Sequence, residues 1–195
     1  MKQFTLCLAL FLPLAIFAQT GSEKIAPEFD GVKVDSTLSY FITQYTAKGF
    51  ILEKQDGALT IMHGTLGTDK LTLYIVATPV SKKVWKVVAA FPEQSTWNSL
   101  KEKYNSLKEI LQSKYGTPTD DFHFFASPYK EGDGDEMTAV EANKCDYMTA
   151  WVKEENNSTI DISISILKCP KVSYENLVNS ALNKQEKEKA TSDGL

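Results

Sequence analysis

The sequence predicts an α+β fold: a two-layer, mostly antiparallel meander sheet packed by two main helices, in the order α-β-β-β-β-α-β-β-β. Three observations carry this. A helix-period stripe runs through Trp97, Leu100, Tyr104, Leu107 and Leu111. A strict alternation runs through Ile160, Ile162, Ile164 and Ile166, with Asp161, Ser163 and Ser165 between them. Short β-branched runs before and between these are separated by turn residues.

The chain has 195 residues, enough for one domain with a substantial core. It divides into a leader (1–18), a flexible lead-in (19–30), a single α+β domain (31–183) and a charged disordered tail (184–195). Met1, Lys2 and Gln3 precede an apolar run from Phe4 to Phe17 that ends at Ala18-Gln19. One positive charge, a short apolar stretch and a small residue are the layout of a cleaved export signal. The run is shorter than the ~20 residues a membrane-spanning helix needs, and Cys7 lies too early to carry a lipid. The expected product is periplasmic or secreted, with no membrane insertion after cleavage.

Asp35 or Ser36 can cap a first helix that carries Leu38, Phe41, Ile42 and Tyr45 and stops at Gly49. Strands follow over 50–54 and 58–66. If Asp56-Gly57 is the turn between them, Leu52 faces Ile61 and Phe50 faces His63. Gly67 to Lys70 turns into strands over 71–78 and 84–91. Ser95 is the expected cap of the second helix, which Gly116 and Pro118 end. A strand over 119–125, a polar loop over 127–143 and a hairpin of 145–153 with 160–168 complete the sheet. Residues 172–183 read as a further strand or a terminal helix.

A hairpin turn centred on Asn157 sets Cys145 opposite Cys169, and export favours a disulfide between them. The same register puts Met148, Ala150 and Val152 on the isoleucine face. Tyr147 and Trp151 then fall on the other face, as candidate binding residues if that face is wet.

Several stretches in order resemble one family. They are Phe29-Asp30-Gly31-Val32-Lys33-Val34-Asp35, Lys48-Gly49-Phe50, Ala90-Phe91-Pro92 with Ser95-Thr96-Trp97, and Tyr104 through Lys108. Lys114-Tyr115-Gly116-Thr117-Pro118 and Val172-Ser173-Tyr174-Glu175-Asn176 follow. Together they cover roughly residues 29–177. The pattern resembles an uncharacterised family of small exported proteins of Bacteroides-type bacteria. That resemblance implies a two-layer α+β fold, distantly similar to β-lactamase-inhibitor-like proteins. It implies no functional residues. The acidic loop 131–136 and the cysteine pair have no counterpart in the family pattern.

The chemistry available is narrow. All basic residues are lysines and the net charge is −4. Without the arginine fork and with an acidic balance, a nucleic-acid partner is not expected. His63 and His123 each sit in a strand without ligand or triad spacing. Cys145 with His123 would need a free thiol. Glu131, Asp133, Asp135 and Glu136 flank Gly132 and Gly134. Asp133, Asp135 and Glu136 could hold Ca²⁺, although the run lacks the full calcium-loop signature; otherwise no cofactor is called for. Asp120 and Asp121 are neighbours in a strand and point to opposite faces.

The reading is a non-catalytic exported binding module of the cell envelope, meeting another envelope or extracellular protein. The alternative is a small-molecule, peptide or glycan binder with a pocket between sheet and helices. An envelope hydrolase using His123 or the acidic loop is the third.

Overall fold

The computed structural model describes residues 26–194; the leader, its cut after Ala18 and Cys7 lie outside the described residues. The architecture is α+β, as the sequence predicts. The elements are β1 (Glu28–Phe29), β2 (Val32–Lys33), α1 (Leu38–Ala47), β3 (Ile51–Asp56), β4 (Leu59–Leu66), β5 (Asp69–Ala77) and β6 (Val84–Ala90). After these come α2 (Trp97–Tyr115), β7 (Asp120–Phe125), α3 (Glu136–Glu141), β8 (Cys145–Lys153), β9 (Ser158–Ser165), β10 (Cys169–Asn176) and α4 (Leu177–Asp193).

Strands β3 to β10 form one eight-stranded antiparallel sheet in the order β3-β4-β5-β6-β10-β9-β8-β7. It is two four-stranded meanders joined where β10 pairs with β6. Helix α2 carries the chain from β6, in the middle, to β7, at the far edge. The second meander then folds back toward the first.

One sheet face is the core. Leu71, Leu73 and Ile75 of β5, Val87 and Ala89 of β6, and Val172 and Tyr174 of β10 project from it, as do Ile160 and Ile162 of β9. Helix α2 lays Trp97, Leu100, Tyr104, Leu107 and Leu111 into this layer, and α1 adds Leu38, Phe41 and Tyr45. Burying five side chains of this size from α2 contributes about 8–15 kcal/mol before chain entropy is subtracted. Both helices start one or two residues later than expected, because threonines take the cap. Thr37 Oγ1 accepts from Tyr40 N–H and Thr96 Oγ1 from Ser99 N–H.

The first hairpin turns at Gly57-Ala58, since Asp56 pairs with Leu59. A bulge between Leu52 and Lys54 then shifts the register, so that Ile51, not Phe50, faces His63. Part of the lead-in is ordered: β1 pairs with β2, and Ala26 and Phe29 are buried. The C-terminal stretch 172–183, read as a further strand or a terminal helix, contributes to both, and the departure lies in the tail beyond it. Residues 169–176 add a strand to the sheet, and residues 184–193, expected as a disordered tail, continue α4. Their Lys, Glu, Gln and Ala content favours helix even where apolar residues are few. Long-range polar contacts fix the helix: Glu186 accepts from Val80 N–H (2.7 Å) and Ser81 N–H (3.2 Å), and Asn179 Nδ2 donates to Val84 O (2.9 Å).

Candidate functional site

Tyr147 and Trp151 do not form an exposed aromatic face; both are core residues, at 3% and 0% exposure. The cause is register. A short 3₁₀ turn at Glu154–Asn156, with Asn157 left-handed at φ 45°, closes the hairpin so that Trp151 pairs with Ile160. A turn centred on Asn157 would pair Trp151 with Ser163. An odd shift in pairing moves every side chain to the opposite face, so Tyr147, Thr149 and Trp151 join the isoleucines. Trp151 Nε1 donates to Gly116 O at 2.8 Å, and the Tyr147 ring meets Trp97 edge-on at 5.1 Å.

The same register removes the disulfide. Cys169 pairs with Ser165 in β9, while Cys145 lies in β8 on the other side of β9. Two strand spacings are about 10 Å, beyond the roughly 7 Å between Cα atoms that a disulfide tolerates. Both cysteines are free thiols. Burial, with Asp146 and Glu131 nearby, pushes the Cys145 thiol up to about 12. It therefore stays protonated at neutral pH and is a poor nucleophile. Its cross-strand neighbour is Phe125, whereas His123 pairs with Tyr147, stacks on its ring at 4.5 Å and has Nε2 3.2 Å from Asp121 Oδ1.

Two carboxylates of the acidic loop are spent on its own backbone. Asp133 accepts from Lys130 N–H (2.8 Å) and Asp135 N–H (2.9 Å), and Glu136 accepts from Gly132 N–H (2.7 Å). Glu131 pairs with Lys101 and accepts from the Tyr147 hydroxyl at 2.8 Å. The Lys101 contact leads in lowering its carboxyl, against a smaller effect of burial. The carboxylates of Asp133 and Glu136 thus shape the turn into α3, while that of Asp135 makes no capping bond. Among the described residues no group of three or more His, Cys, Asp or Glu could hold a metal ion.

Asp120 and Asp121 do face opposite ways, paired with Ala150 and Thr149. Asp121 ends a chain in which the Tyr104 hydroxyl donates to Thr149 Oγ1 (2.7 Å) and Thr149 donates to Asp121 (2.6 Å). This chain ties α2 to the sheet.

The helix-free stretches of the second sheet face form a broader site. One cross-strand row on this face runs Phe122, Met148, Ser163, Lys171, Ala90, Thr72, His63 and Ile51. Three shallow depressions open along it. The first, 450 Å³, is lined by Ile51, His63, Lys70, Thr72 and Ala90. The second, 470 Å³, shares Thr72 and Ala90 and extends to Tyr74, Leu167 and Cys169. Lys171, the cross-strand neighbour of Ala90, begins the third, 430 Å³, which reaches Ser163, Met148 and Phe124. A rim links the loops above: Lys168 bridges Glu93 (2.8 Å) and Glu141 (2.9 Å).

At one end of this trough, His63 Nδ1 lies 3.0 Å from Thr72 Oγ1, and its Nε2 meets Glu53. This chain links hydroxyl, imidazole and carboxylate across three strands. It also pins the β3 bulge to β4 and β5. Sequence alternation could flag individual members of the trough, because Thr72 and Tyr74 alternate with Leu71, Leu73 and Ile75. Their alignment across the sheet could not be read without the strand order. No family model matches this chain, and neither does any curated protein or solved structure.

Proposed function

We propose that this protein is a non-catalytic, exported binding module that receives a segment of another envelope or extracellular protein on its open sheet face. The observation that carries this is the trough: three shallow depressions in line along one row, on the face opposite α1 and α2. A shallow, extended, partly apolar surface suits a protein segment, whereas small ligands are usually held in deeper clefts. Export rests on the leader pattern of residues 1–18.

A photo-crosslinking residue placed in turn at Tyr74, Ala90 and Lys171, in cells producing the full chain, tests the reading. A control at Glu109, on the outer side of α2, reports non-specific capture. The expected result is one reproducible adduct from the trough positions, absent at Glu109 and, for the Tyr74 and Lys171 positions, lost when Ala90→Arg is added. Equal adducts from Glu109, or an adduct that survives Ala90→Arg in a folded protein, would overturn it.

A further inference from the structure

Among the described residues the sheet has two edges without a partner strand, and they are unequally guarded. Edge strand β3 is interrupted by the bulge between Leu52 and Lys54 and carries Glu53, Lys54 and Asp56. Bulges and edge charges are standard obstacles to strand addition. Edge strand β7 pairs with β8 in unbroken register from Asp120 to Phe125. It has no lysine, no proline and no bulge, its carboxylates are confined to Asp120 and Asp121 at its start, and it exposes Phe122 and Phe124 at 49% and 59%.

The hydrogen-bond phase of β7 is fixed. Ala126 N–H donates to Lys144 O, the next step of the β7–β8 register. Antiparallel ladders alternate, so the even-numbered residues of β7 bond β8. The N–H and C=O groups of Asp121, His123 and Phe125 point outward from the sheet.

We propose that β7 is a self-association edge, on which a second copy of this chain pairs antiparallel about a twofold axis at His123. A twofold pairing must match outward groups with outward groups, which restricts the axis to few positions. With the axis at His123, the hydrogen-bonded pairs are His123 with His123, Asp121 with Phe125 and Phe125 with Asp121. An axis one residue earlier keeps only the Asp121–His123 pairs within the strand. The chosen register sets no aspartate opposite another, because Asp121 meets Phe125 and Asp120 meets Ala126. Phe122 of each copy meets Phe124 of the other at the closer, non-hydrogen-bonded spacing, where aromatic pairs gain most. The two exposed aromatics become mutual partners, and the two sheets become one. Phe122 and Phe124 also border the trough, but the inference rests on the β7 strand edge and not on the trough binding a partner.

Sedimentation of the full chain over a wide concentration range, for the wild type and for Phe124→Lys, tests association. Phe124 is more than half exposed, so the variant should keep its fold, which circular dichroism checks. For register, the three native cysteines are replaced by serine, and Phe122→Cys and Phe124→Cys proteins are prepared in that background. The expected results are a concentration-dependent doubling of mass, its loss in Phe124→Lys, and oxidative cross-linking only when the two cysteine variants are mixed. A protein that stays monomeric at every concentration, a dimer indifferent to Phe124→Lys, or a Phe122→Cys protein that links to itself would overturn the proposal.

Discussion

Replacing Gly64 by alanine is a sharp probe of packing beside the trough. Gly64 lies in β4 beneath the ring of Phe50; a Cβ there would fall 2.4 Å from two of the ring carbons. Carbon pairs settle at about 3.5–4.0 Å, so the ring would have to move by roughly 1 Å or more. It has little room. Phe50 is 3% exposed and meets Tyr45 edge-on at 5.1 Å, and the Tyr45 hydroxyl donates to Phe29 O at 2.7 Å. Overpacking costs about 1–3 kcal/mol, while replacing a strand glycine returns about 0.5–1 kcal/mol. The net expectation for Gly64→Ala is a loss of about 1–2 kcal/mol, or about 3–7 °C in Tm for a domain of this size. Urea unfolding followed by tryptophan fluorescence measures it. Phe50→Ala removes the clash, so in that background Gly64→Ala should be neutral or stabilising. The contact argument is refuted if Gly64→Ala stabilises the wild type, or costs the same with and without the Phe50 ring.

Two further predictions concern buried polar groups. Thr149→Val keeps the shape but leaves the Tyr104 hydroxyl without its acceptor, at a cost of about 1–3 kcal/mol in denaturant unfolding; adding Tyr104→Phe should recover part of the loss, whereas a simple sum would contradict the hydrogen-bonded chain. Asp161 has its carboxyl raised by burial, against the opposing pull of Lys86, Ser173 and Lys171. Folding therefore favours its protonated form, and the ionised form costs stability above the raised value. Asp161→Asn should stabilise the protein at neutral pH, and the gain should shrink as pH falls from the raised value toward the ordinary carboxylate range. A gain that grows on acidification would contradict the burial account.

Local pattern made much of this protein legible. The period of α2 named all five residues it buries, because a helical stripe needs no partner to define it. The isoleucine alternation of β9 named its buried face for the same reason. Turn placement was less secure. The leucines and isoleucines near Gly57 fit more than one pairing, and the bulge at Glu53 cannot be inferred from polarity. The candidate site depended on pairing almost entirely. Tyr147 and Trp151 alternate correctly in sequence, yet which face is wet depended on how a 3₁₀ turn closed the hairpin.

The sequence alone determined the class of the fold, the identity and burial stripe of α2, the two-sided character of strands such as β5 and β9, and a composition poor in nucleic-acid-binding chemistry. These follow from residue type and short-range period. Tertiary structure decided the joining of two meanders at β6 and β10, the placement of Cys145 and Cys169 on either side of β9, the conversion of a charged C-terminus into α4, and the alignment of the trough. Each of those depends on which strand lies beside which, and in what register. A shift of a single residue exchanges the faces of a strand while leaving its own alternation unchanged.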